Sequence, residues 1–89
     1  MFICKSKFNF IDKVLGVTKD GEQYVSINVI ELNGTKNYNF ISKDSQVIEL
    51  FKKLDISRFA EINLKLGFTR EFNQEKRFSY WTCSLLGVD

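Results

Sequence analysis

The sequence predicts a mainly β domain in which five strands are interrupted once, between the third and the fourth, by a short helix. Three observations lead there. Apolar residues alternate with period two over most of the chain, Asp20-Gly21 and Asn33-Gly34 supply turn dipeptides, and between Asp44 and Leu54 the apolar spacing switches to that of a helix. At 89 residues the chain is one domain, 1–89, because no part of it has enough length to bury a second core.

The first strand covers about Phe2 to Val17, long enough to need a bend or bulge, and Gly16 is one place for it. Thr18-Lys19-Asp20-Gly21 turns the chain into a second strand, about Glu22 to Leu32. There Val25, Ile27 and Val29 alternate with Tyr24, Ser26 and Asn28, so one face is apolar. After Asn33-Gly34-Thr35 a third strand, about Lys36 to Ser42, carries Tyr38 and Phe40 on one face and Asn37, Asn39 and Ile41 on the other. Pro is absent, so Gly, Asn and Asp must make these turns.

Val47, Leu50, Phe51 and Leu54 then fall at i, i+3, i+4 and i+7 behind an N-cap at Asp44 or Ser45, which is the core-facing stripe of a short helix. From Ala60 the two-residue period returns, with Ala60, Ile62, Leu64, Leu66 and Phe68 on one side and Glu61, Asn63, Lys65 and Thr69 on the other. The polar run Asn73-Gln74-Glu75-Lys76 separates this fourth strand from a fifth, about Arg77 to Leu86. In that strand alternation puts Phe78 and Tyr80 on one face with Thr82 and Ser84. Trp81 shares the other face with Cys83 and Leu85, company that predicts a core ring.

This order resembles the oligonucleotide/oligosaccharide-binding (OB) fold, a five-stranded Greek-key barrel with a helix between its third and fourth strands. An SH3-like barrel would lack the helix, and a β-grasp domain would place it after two strands. Over nearly its whole length the chain is similar in element order to small OB-fold single-stranded-DNA-binding proteins of phages and mobile elements, although no diagnostic motif carries the likeness. It departs from many of them in having no acidic C-terminal tail after Leu85-Leu86-Gly87-Val88-Asp89. The resemblance implies a binding role and a ligand surface on the second and third strands and the loop between the last two.

Chemistry-bearing residues are few. There is no His, Cys4 and Cys83 are far apart, and no Gly-rich phosphate loop is present, so neither catalysis nor a metal or other cofactor is expected. Two reduced, buried thiols are expected instead. The carboxylates Asp12, Asp20, Glu22 and Glu31 fit strand edges and turns. No apolar stretch approaches the ~20 residues that cross a bilayer, and the N-terminus lacks secretory-signal features, so a cytoplasmic protein without a membrane partner is expected.

Binding single-stranded nucleic acid requires exposed rings to stack on bases and cations to meet phosphates. Net charge is only +2, so the placement of charge matters more than its sum. The candidate rings are Tyr24, Tyr38, Phe78 and Tyr80. Tyr24 either faces solvent or covers a neighbour at a strand edge, and Tyr38 and Phe40 are either ligand surface or core. Candidate phosphate contacts are Lys19, Lys36, Arg70, Lys76 and Arg77, all in or beside turns; for the last three the alternative is a charged hairpin whose Glu71 and Glu75 offset the cations. Lys5, Lys7 and Lys13 share a face of the first strand if pairing is regular across any bulge. The expected function is non-enzymatic binding of single-stranded DNA or RNA with little sequence preference. The alternative is a protein-interaction module, a homodimer or a small inhibitor acting through an exposed sheet edge or aromatic patch.

Overall fold

The computed structural model describes residues 1–89. Five strands, β1 (Phe2–Val17), β2 (Gln23–Glu31), β3 (Asn37–Ser42), β4 (Glu61–Asn73) and β5 (Phe78–Val88), form one antiparallel sheet in the order β3-β2-β1-β4-β5. The helix α1 (Ser45–Lys53) follows β3. The outermost strands β3 and β5 also approach each other, so the sheet curls into a half-barrel. No helix is long and apolar enough to cross a membrane.

Turn chemistry fixes the first two hairpins. Gly21 (φ 85°) and Asn33 (φ 58°) take the left-handed conformation, and the Glu31 carboxylate accepts hydrogen bonds from the Thr35 and Lys36 amides. The concave face holds a core of twelve side chains, among which Val25, Ile27, Val29, Phe51 and Leu64 are fully buried. α1 covers one end of that face. Asp44 caps it by accepting from the Gln46 amide at 2.8 Å, and Val47, Ile48 and Phe51 point inward. The expected stripe is therefore rotated. Ile48 replaces Leu50, which sits at the rim against Gly87 and is 40% exposed.

The bend in β1 is not at Gly16. Pairing with β2 slips between Phe10 and Asp12, leaving Ile11 as the extra residue of a bulge. It forms where β1 leaves β4: the Phe10 amide bonds to the Ala60 carbonyl and the Phe10 carbonyl accepts from the Phe59 amide. Before the bulge the even residues Phe8 and Phe10 face the core. After it Lys13 and Leu15 lie opposite Ile27 and Val25, on the core side. Lys13 is thus separated from Lys5 and Lys7, correcting the common face expected from regular pairing. Its ammonium donates to the Phe51 and Leu54 carbonyls at 2.5 and 2.6 Å, closing the C-terminus of α1.

At the other end the sheet outruns its core. β1 begins at Phe2, opposite Phe68, so Thr69–Asn73 of β4 and Phe78–Thr82 of β5 pair only with each other. This projecting two-stranded arm helps explain a radius of gyration of 14.3 Å, against about 12 Å for a compact chain of this length.

Candidate functional site

The arm gathers most of the large exposed rings. Phe78 and Tyr80 stand on its convex face with ring centroids 5.7 Å apart and planes at 49°, and they are 45% and 43% exposed. On the concave face Arg70 lies opposite Trp81 and Phe72 opposite Ser79, and the Arg70 guanidinium donates to the Ser79 hydroxyl at 3.3 Å. Trp81 is 63% exposed, which overturns its expected place in the core. The reason is geometric. Alternation correctly assigns Trp81 to the face of Leu85, but β1 ends at Phe2 and α1 lies at the opposite end, so no layer covers that face there.

The turn of the arm is built by Asn73, whose side-chain oxygen accepts from the Glu75 and Lys76 amides at 3.0 and 3.1 Å, while Arg77 takes a left-handed conformation (φ 52°). Arg70, Lys76 and Arg77 thereby sit on and beside the aromatic arm. Ion pairs occur elsewhere, at Lys5–Asp89, Lys43–Glu22 and Lys52–Glu49, so these three cations are unpaired. Lys19 and Lys36 are unpaired too, but they lie in other turns, and Lys36 is held over the Tyr38 ring at 5.5 Å from its centroid.

The other two candidate rings are placed differently. Tyr38 pairs with Val29 and Phe40 with Ile27, which sets both on the concave face. Phe8 lies 5.7 Å from each, so they edge the core, half-buried, rather than standing on the outer surface. Between them and Phe68 and Cys83 runs an open cleft of about 530 Å³ leading toward the arm. Tyr24 is on the convex face, and the hydroxyl end of its ring packs over Gly16, where an added Cβ would come within 2.7 Å of it. That end of the ring is therefore already covered. Elsewhere on the convex face between β1 and β3 a polar cluster, with Asn28 bonded to Asp12 at 2.6 Å and Asn39 to Asn28 and Ser26 at 2.7 Å, lies beside the exposed apolar side chains Val14 and Ile41.

The thiols differ from expectation in one respect. Both are free, but Cys4 is half-buried and Cys83 exposed, neither being a core residue. Partial desolvation, and then the nearby Cys4, push the Cys83 thiol above its ordinary value. A raised value makes a poor nucleophile at neutral pH.

Compared with protein-family models, curated proteins and solved structures, the chain matches none. Of the nine expected site residues, the arm brings together Arg70, Lys76, Arg77, Phe78 and Tyr80, and it leaves Lys19, Tyr24, Lys36 and Tyr38 elsewhere on the half-barrel. Phe72 and Trp81 join the group from outside that set. The exposure of Trp81 follows from the register that sets Phe2 opposite Phe68, which leaves the strands beyond that point without a third neighbour, and no local stretch of sequence signals it.

Proposed function

We propose that the chain binds single-stranded nucleic acid, with little sequence preference, through the β4–β5 arm. One observation carries this reading: Phe72, Phe78, Tyr80 and Trp81 are all exposed on a single hairpin that also holds the unpaired cations Arg70, Lys76 and Arg77. Every base has a face that stacks on an aromatic ring, at ~1 to 3 kcal/mol per base, so such a surface favours affinity over base discrimination. The three cations supply the phosphate contacts. Tyr38, Lys36 and the adjoining cleft extend the path toward β3, and Tyr24 and Lys19 are a secondary surface on the first hairpin.

The fold reading that goes with this function is an open OB-type Greek-key barrel. Its support is the strand order, in which β1 lies between β2 and β4 while β3 comes round to β5, together with the helix between β3 and β4.

Trp81 is the only Trp, so its fluorescence reports directly on the arm. Titration with an oligo-dT strand is expected to quench it and to raise the anisotropy of a labelled strand. The slope of log K against log salt should be about −2, from three phosphates at roughly −0.7 each. No anisotropy change at micromolar protein and low salt would remove the proposal; binding without Trp81 quenching would move it off the arm.

A further inference from the structure

β5 is an outer strand of the sheet, and over Phe78–Thr82 its backbone pairs with β4 alone. Edge strands usually carry a charge, a Pro or a bulge that stops another chain from adding to them. From Phe78 to Val88 the strand has no charged residue and no Pro, and its one irregularity lies at the far end, opposite Lys65 and Leu66. Two other free edges are defended. β3 is six residues long and bounded by Lys36 and Lys43, and the free edge of β4 at Thr69–Asn73 carries Arg70 and Glu71. Two-fold pairing centred on either of those residues sets like charges opposite each other.

We propose that this edge of β5 pairs antiparallel with the same edge of a second copy, about a two-fold axis, to give a homodimer with one continuous ten-stranded sheet. Self-pairing fits the chemistry because every register confined to β5 sets only uncharged residues opposite one another. With Tyr80 at the centre, Ser79 faces Trp81 and Phe78 faces Thr82, uncharged pairs in which Phe78, Tyr80, Trp81 and Thr82 are residues of high β propensity. The exposed parts of the four arm rings amount to roughly 450 Å² per copy, only part of which edge pairing would cover. With the strand backbone this lies at or below the low end of the sizes typical of specific interfaces, so the dimer forms and dissociates with concentration in the micromolar range. The inference stands on the strand edge and its lack of charge, and it is independent of nucleic-acid binding.

Sedimentation equilibrium on the full chain without nucleic acid, from about 5 to 300 µM, tests it. The mass is expected to rise from 10.4 kDa toward twice that value. The double variant Tyr80→Lys, Thr82→Lys, checked by circular dichroism for an intact fold, should dimerise at least about tenfold more weakly, because three neighbouring registers then oppose like charges. Should that variant fail to fold, a nitroxide on Ser79→Cys in a Cys4→Ser, Cys83→Ser background gives a second reading. Paired strands lie about 4.8 Å apart, so the spin–spin distance should fall below about 25 Å. A mass fixed at 10.4 kDa throughout, a folded double-lysine variant that dimerises like the parent, or a dimer with a longer spin–spin distance each overturns the proposal.

Discussion

Leu64 and Arg70 lie on the same face of β4, three side chains apart along it, yet Leu64 is fully buried and Arg70 is exposed. On β5 the contrast repeats between Leu85, in the core, and Trp81, in solvent. Alternation assigns all four to one face. What separates them is whether anything lies on top of that face: the core half of the sheet is curled around its own side chains and closed by α1, whereas the arm is two strands thick in one direction and a single layer in the other. Burial is a property of the third layer, and the period of two says nothing about where that layer stops.

The comparison predicts opposite responses to the loss of a large ring on either side. Phe51→Ala, in the core half, should cost about 3–5 kcal/mol, enough to leave a domain of this size largely unfolded, and urea denaturation followed by circular dichroism would show it. A loss below 1 kcal/mol would mean that α1 does not close the core. A smaller effect is expected at the helix exit. Lys13→Met keeps the aliphatic stem but removes the ammonium from the Phe51 and Leu54 carbonyls, for about 1–2 kcal/mol, or a fall in Tm of roughly 5–15 °C. Smallest of all should be Trp81→Ala on the arm, within about 0.5 kcal/mol in stability while weakening oligo-dT binding about tenfold or more. A large stability loss there would join the arm to the core and erase the distinction.

Much of this was legible in the residues themselves. The strands, the helix and the turns follow from alternation, from the switch of period at Val47–Phe51 and from Asp20-Gly21 and Asn33-Gly34. Three features were not legible, each for a physical reason. The sidedness of Tyr38 and Phe40 is decided by their partners Val29 and Ile27 across the ladder, which no local window contains. The inward turn of Lys13 depends on a bulge whose only signal is a mismatch between two strands. Trp81 has apolar company along its own strand but no neighbour above it, and the chain carries no local mark of that absence. For the candidate site, the cations and the convex rings were found from residue type and turn position, and the concave ring was lost for the same reason that Leu85 was correctly placed.

The bulge at Ile11 also shows how this chain stores shape. Because Phe10 faces Val29 and Asp12 faces Asn28, removing Ile11 would leave every cross-strand partnership of β1 in place and keep each remaining side chain on its present face. Only the bend would go. The curvature that lets one strand serve β4 with its first half and the helix with its second is therefore held in the number of residues between two partners, not in the identity of any of them. In this sheet geometry is encoded by counting, and substitution at that position leaves the count untouched.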